Sequence, residues 1–290
     1  MSLLIGADPE LFVGKGRKIV SGHGMIPGTK QQPFPVERGA VQVDGMALEF
    51  NINPAGTRQE FIKNLSVVQS HLNKMIPEGH TLRTVPTAHF APEYMAAQPF
   101  EATELGCDPD FNAYTGRPNP RPNGEVNFRT GSGHIHVGWT EGMDVNDPDH
   151  LEACKMMVKQ LDACLGIFST LWDSDTQRRQ LYGKFGAFRP KPYGVEYRVL
   201  SNAWLKSTAL KGMVFDLTSY AYDKLLDGIR LYDRVDIRWW ADRFDSTSRR
   251  ATRDILEGQE YFVGAFPADS RLDYLKALVD AKVETLRYVG

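Results

Sequence analysis

Polar and apolar positions alternate along Gly131-Ser132-Gly133-His134-Ile135-His136-Val137-Gly138-Trp139. Ile135, Val137 and Trp139 fall on one side and His134 and His136 on the other. That period of two predicts a β-strand with an apolar back and a front of two imidazoles. Residues 41–53 alternate most cleanly, Leu48, Phe50 and Ile52 against Glu49, Asn51 and Asn53. There Asp44-Gly45 makes a turn or bulge between two strand halves. Residues 182–200 end in the same way, with Glu196 and Arg198 facing away from Val195, Tyr197 and Val199. Residues 3–13 predict a further strand on which Asp8, Glu10 and Phe12 share a face. Pro9 cannot donate a ladder hydrogen bond, which puts that strand at an edge or distorts it.

Helical spacing takes over elsewhere. Thr57 with Glu60 forms a capping box ahead of a helix over 58–75 whose core positions are Phe61, Leu65, Val68 and Leu72. A second helix is expected over 147–172, with Pro148 near its first turn and an apolar stripe from Leu151 to Leu165. A short strand is expected within 81–90, and from about 203 onward the chain reads helical, in segments 207–228, 247–258 and 270–287. Residues 14–40 and 98–130 carry the Gly, Pro and charged residues of loops. The long loops at 14–40 and 112–124 are candidate lids. Lys30 and His23 in the first read as solvated residues or as ligand contacts.

Four strands therefore place functional side chains at i and i+2: Asp8/Glu10, Glu49/Asn51, His134/His136 and Glu196/Arg198. Any one pair is explained by a solvated sheet face or a surface ion pair. The set is not, because exposed strands favour Thr, Lys and Ser over Glu, His and Arg. If these strands are neighbours, one wet sheet face holds carboxylates, imidazoles and a guanidinium. Carboxylates and a neutral imidazole bind divalent cations, and Mg²⁺ fills the rest of its shell with phosphate oxygen and water. Arg and Lys neutralise the charge that develops in phosphoryl transfer. Arg189, Lys184 and Lys191 crowd the Gly/Pro-rich stretch before Glu196, and Arg129 sits just ahead of the glycine-flanked histidines, within reach of the same pocket. No P-loop, Gly-x-Gly-x-x-Gly, Gly-x-Ser-x-Gly or His-Glu-x-x-His motif occurs.

Composition narrows the setting. A net charge of −2 over 290 residues provides no basic field, so general nucleic-acid binding is not expected. The three cysteines are odd in number and lack a Cys-x-x-Cys pair, which fits a reducing cytoplasm. The apolar run Leu3-Leu4-Ile5 is too short for a signal peptide. No run of about 18 apolar residues predicts a membrane span. Two other readings stay open beside phosphoryl transfer: a metal-dependent hydrolase using the His/Glu face, and a non-catalytic anion-binding module.

The runs Gly6-Ala7-Asp8-Pro9-Glu10, Arg129-Thr130-Gly131-Ser132-Gly133-His134-Ile135-His136 and Glu196-Tyr197-Arg198 resemble the phage-type carboxylate–amine (COOH–NH2) ligases. These are amidoligases within the glutamine synthetase and glutamate–cysteine ligase superfamily. Gly106-Cys107-Asp108-Pro109-Asp110-Phe111 is similar to that family as well. The resemblance spans about residues 5–205. It implies an α+β fold with an antiparallel sheet curved into a half-barrel and helices on its outer side. Residues 1–290 would form a single catalytic domain, with a sheet-containing core over 1–205 and a mainly helical part over 206–290. The implied reaction has ATP phosphorylate a carboxylate and an amine displace the phosphate, in a small-molecule or peptide substrate. It also implies Mg²⁺, with Mn²⁺ as a substitute, held by Glu10, Glu49, His134 and Glu196. His136, Arg189 and Arg198, with Lys184 and Arg129, would contact the ATP phosphates, and Glu49, Arg189 and Arg198 would be catalytic. Asp8, Asp44 and Asn51 are secondary candidates. Relatives form rings or dimers, so a homo-oligomer stays open beside a monomer, and the setting would be the cytoplasm, that of a host cell if phage-encoded.

Overall fold

The structure, a computed structural model, describes residues 2–103, 110–120, 127–246 and 248–289. The chain opens with β1 (Leu4–Ala7), β2 (Glu10–Lys15), β3 (Lys18–Val20), β4 (Phe34–Val36), β5 (Gly39–Asp44) and β6 (Ala47–Ile52). Helix α1 (Arg58–Met75) follows, then β7 (His80–Arg83), β8 (Thr87–His89), α2 (Pro92–Ala96), α3 (Phe100–Thr103), β9 (Phe111–Asn112), β10 (Phe128–Thr130) and β11 (Ile135–Gly138). Beyond these come α4 (Pro148–Leu161), α5 (Gln177–Leu181), β12 (Ala187–Lys191), β13 (Gly194–Tyr197), α6 (Thr208–Leu226), α7 (Ile237–Phe244), α8 (Arg249–Gly264) and α9 (Asp273–Val289). The fold is α+β with antiparallel sheets.

Two sheets carry the architecture, where the alternation alone suggested one. The first runs β1-β11-β13-β12-β9 and the second β3-β2-β6-β5-β4, with β7 also pairing β2. A separate ribbon joins β8 to β10. The strand expected over residues 3–13 is broken at Asp8-Pro9: β1 pairs β11, whereas β2 pairs β6. The physical reason is Pro9, which has no N–H to continue a ladder. Asp8 and Glu10 consequently do not share a strand face: Asp8 falls in the break after β1, and Glu10 opens β2 in the second sheet. An isolated bridge between Ile5 and Ala55 ties the two sheets together.

The apolar backs of the strands face the helices. Leu48, Phe50 and Ile52 are buried, as are Ile135, Val137, Val195 and Tyr197. Helix α1 packs on β5 and β6, α4 on β12 and β13, and α6 against both helices. Thr57 Oγ1 accepts from the Glu60 N–H at 3.2 Å, while the Glu60 carboxylate accepts from Gly56 at 3.1 Å, closing the cap one residue earlier than the usual box. The loop at 14–40 contains β3 and β4, and the stretch 81–90 is two strands in different sheets, parted around Pro86.

The helix expected over 147–172 ends at Leu161 and passes into a π-helical turn, Asp162–Gly166. Asp162 is buried there and accepts from Tyr197 Oη and the Gly186 N–H, both at 2.7 Å. The π turn carries that carboxyl against Tyr197 at the end of β13. The C-terminal part is helical as read, and buried Trp240 of α7 packs edge-on against Phe244. Most of the run at 106–111 and part of the candidate lid at 112–124 lie outside the described residues.

Candidate functional site

Strand register lines up two rows of polar side chains. Across the first sheet His136 of β11 pairs with Glu196 of β13, which pairs with Arg189 of β12. Across the second, Gln42 of β5 pairs with Glu49 of β6, which pairs with Glu10 of β2. Directly paired residues of an antiparallel ladder project to the same face, so each row is contiguous. Asp8, at the point where the chain changes sheet, stands between them.

Asp8 Oδ1 lies 3.1 Å from His136 Nε2 and 3.5 Å from His134 Nδ1. Glu196 Oε1 is 3.5 Å from His134 Nδ1. One ligand-capable atom from each of Asp8, His134 and Glu196 falls within 4.8 Å of the others. Three cations crowd Glu196: Lys191 at 2.8 Å, Arg189 at 3.6 Å, and Arg198 through Nη1. Arg198 Nε also reaches Asp110 at 3.3 Å.

The surroundings set the charges. Burial and Asp8 push the Glu196 carboxyl up, but Arg198, His134 and His136 outweigh them and hold it at about 2. Burial and then Arg198 push His134 down to about 4, so its imidazole is neutral, and its 3.5 Å contacts with carboxylates are not ion pairs. Arg198 Nη1 lies 3.4 Å from His134 Nδ1 and can only donate to it. His136 goes the other way. Burial opposes its proton, yet the Asp8 carboxylate raises it above the ordinary value. Asp8 itself is pushed up by burial but held well below its ordinary value by His136 and His134.

The second row is short of positive charge. Burial first, then Asp8, Asp44 and Glu10, push Glu49 well above the usual carboxylate range. Gln42 Nε2 donates to Glu49 Oε2 at 2.6 Å. Glu10 is pushed up to about 7 by burial and Asp44. Its Oε2 accepts from the Ser132 N–H at 2.8 Å. Lys30 Nζ pairs with Asp44 at 2.9 Å, bringing a cation to this row from the 14–40 segment, where sequence did not separate it from its solvated neighbours. Such a row is relieved by a bound proton or cation.

The remaining candidates divide. Asn51 lines a cavity of about 570 Å³ together with Asp8, Glu49, His136 and Tyr193. Arg129 lines a smaller cavity with Glu10, Asp44 and Arg198, but its guanidinium donates to the carbonyls of Thr103 at 2.6 Å and Phe128 at 2.9 Å. Lys184 is exposed and lines neither cavity. Two buried atoms, Asp8 Oδ1 and His136 Nε2, face each other without a well-directed hydrogen bond. Carboxylates, a neutral imidazole and an under-bonded carboxylate oxygen together fit a hard divalent cation.

Among solved structures the chain is similar to a bifunctional glutathione synthetase from Pasteurella multocida, with TM-score 0.46, 12% identity, and coverage of 99% of this chain and 47% of that one. It is also similar to a glutamine synthase homolog, with TM-score 0.44, 11% identity, and coverage of 99% and 67%. The chain thus spans about half the length of the first. No curated protein sequence matches it. Residues 121–227, the stretch that carries His134, His136, Arg189, Glu196 and Arg198, match the family described as phage phiEco32-like COOH.NH2 ligase-type 2, the family that the motifs resemble.

Proposed function

We propose that this protein is an ATP- and Mg²⁺-dependent ligase that joins a carboxylate to an amine through an acyl phosphate. The observation that carries the reading is a juxtaposition inside the family-matched stretch. His134 and Glu196 bring ligand-capable atoms within 4.8 Å of each other and of Asp8, immediately beside Arg189, Lys191 and Arg198. A hydrolase that only activates water has no need of three cations on one carboxylate.

On this reading Asp8, His134 and Glu196 hold one cation, and Glu10 with Glu49 holds a second. Bound there, Mg²⁺ supplies the charge neutralisation that lets a carboxylate approach a phosphate. Arg198 and Arg189 bind phosphate oxygens with guanidinium N–H groups, which suit that bidentate geometry. His136, protonated through Asp8, adds positive charge beside the site. A substrate carboxylate oxygen attacks the γ-phosphorus, the bond to the bridging oxygen breaks, and ADP leaves with that electron pair. The amine nitrogen then attacks the acyl carbon and phosphate leaves. The Glu49 carboxylate, ionised once the cation is bound, accepts the proton that the amine loses.

The reading extends to the whole chain. The two sheets act as a half-barrel around the site, residues 1–290 work as a single catalytic domain, and the reaction takes place in the cytoplasm on small-molecule or peptide substrates. Lys184 and Arg129 are the weakest of the proposed phosphate contacts, since one is exposed and the other is engaged with backbone carbonyls.

Hydroxylamine tests it. With ATP, Mg²⁺ and a panel of carboxylic acids, the ligase releases ADP and traps an acyl hydroxamate that gives a coloured iron complex. Turnover of an amide or ester without ATP would instead identify a hydrolase and remove this reading.

A further inference from the structure

We propose that Asn202 is a positioning residue that fixes Glu10 for cation binding. This rests on the reading of Glu10 as a metal ligand. Asn202 lies 192 positions from Glu10, and no local pattern joins them. It is fully buried, and its Nδ2 donates to the Glu10 carbonyl at 2.8 Å and to the Val85 carbonyl at 3.0 Å. Its own N–H donates to the Gly131 carbonyl at 3.1 Å.

Glu10 is held at three points as a result. Its N–H donates to the Ser132 carbonyl at 2.9 Å, its carbonyl takes the Asn202 amide, and its Oε2 takes the Ser132 N–H at 2.8 Å. Ser132 is in turn fixed to the same corner, bridged to Ser201, with the next N–H, Gly133, bonded to the Leu200 carbonyl at 3.0 Å. A carboxylate whose backbone and one oxygen are both fixed presents its other oxygen without losing rotamer freedom on binding, which is how outer partners raise metal affinity.

The chemistry of position 202 is specific to this task. Two carbonyls need two donors from one short side chain, and only an amide NH₂ offers them. Asn202 keeps this orientation although its Oδ1 has no hydrogen-bond partner. A flipped amide, or an aspartate, would aim an oxygen at two carbonyl oxygens. Gly131 is shaped by the same amide, since a Cβ there would lie 2.4 Å from Asn202 Nδ2.

Free Mn²⁺ measured by electron paramagnetic resonance during titration of the purified full chain tests the proposal, with urea unfolding measured in parallel. Asn202→Ala is expected to weaken Mn²⁺ binding by about tenfold or more, the usual cost of losing an outer partner. Gln259→Ala is the matched control. Gln259 is also a buried amide that donates to Ile167 O and Thr170 Oγ1 and leaves its Oε1 unpartnered, among the helices of the C-terminal part. It should lose stability and keep wild-type Mn²⁺ affinity. Should Asn202→Ala not fold, Gly131→Ala, which pushes on the same amide, must weaken Mn²⁺ binding in its place. A folded Asn202→Ala protein with wild-type affinity, or an equal loss in the Gln259 control, overturns the positioning role alone. Absence of Mn²⁺ binding by the wild-type protein overturns the metal reading together with it.

Discussion

His134 and His136 stand two residues apart on the same sheet face, yet their surroundings drive their proton affinities in opposite directions. Arg198 and burial take His134 down to about 4, and Asp8 takes His136 up. Environments that separate like groups assign them different work. The neutral imidazole keeps a lone pair for a metal, and the charged one, held between Asp8 Oδ1 and Tyr193 Oη, adds positive charge beside the site. In the metal-free protein, nitrogen NMR should find His134 neutral down to about pH 4 and His136 protonated above the ordinary histidine range. Asp8→Asn should lower the His136 value. If both rings titrate together, the division of roles fails.

Arg198 serves three partners at once, with Nε on Asp110 and Nη1 on Glu196 and toward His134 Nδ1. A lysine has a single point charge and cannot hold them together. Arg198→Lys should fold, and its rate in the hydroxamate assay should fall by roughly 100-fold or more, the usual cost of one preorganised charge donor. Activity within a factor of about three of wild type would reduce Arg198 to an ordinary ion-pair partner. Glu196→Gln is a poorer probe, because it strips the partner from Arg198, Arg189 and Lys191 and so lowers stability as well.

Asp162 gives a pH dependence that is independent of the site. Burial pushes it up to about 7, against the hydrogen bonds from Tyr197, Tyr114 and the Gly186 N–H that favour its charged form. Its folded value lies above the unfolded one near 3.9, so the folded state binds the extra proton between the two. The stability it contributes is full below about pH 4 and is lost as pH rises through about 7. The shift corresponds to something on the order of 4 kcal/mol. Urea unfolding at a series of pH values should show this fall, and Asp162→Asn should flatten it. The asparagine protein should also be less stable at pH 5, since its Nδ2 would face a donor. An unchanged slope would show that Asp162 does not titrate in this range.

Much of this was legible in the sequence, and the failures have a common cause. Helix 58–75 and the face of Leu48, Phe50 and Ile52 emerged as read, because local spacing and a local cap decide them. Alternation also put His136 and Glu196 on polar faces, and β11 and β13 prove to be the neighbours that bring them together. What alternation cannot report is a change of partner. Residues 3–13 keep their period of two through Asp8-Pro9 while the ladder passes from β11 to β6, so two carboxylates read as neighbours on one face serve different rows. Asp162 read as an ordinary helix position because its partners Tyr197 and Gly186 are distant in sequence. Asn202 left no signal at all, since both acceptors of its side chain are backbone carbonyls.

Lys30 tests how the second row is used. Gly28, with φ +95, turns the 14–40 segment so that Lys30 reaches Asp44, and the charges of Glu49 and Glu10 add to its hold on its proton. An ammonium there partly supplies what the acidic row lacks, and it repels an incoming divalent ion. Lys30→Gln removes that charge, and the pair is half exposed, so the cost in stability is within about 1 kcal/mol. Coulomb repulsion at an effective dielectric near that of a protein surface amounts to about 1 kcal/mol or more between such charges. The variant should therefore bind Mn²⁺ several-fold more tightly than wild type, with the gain shrinking as salt rises. Weaker binding would mean that Lys30 organises Asp44 for the cation instead of competing with it, and the 14–40 segment would then belong to the assembled site.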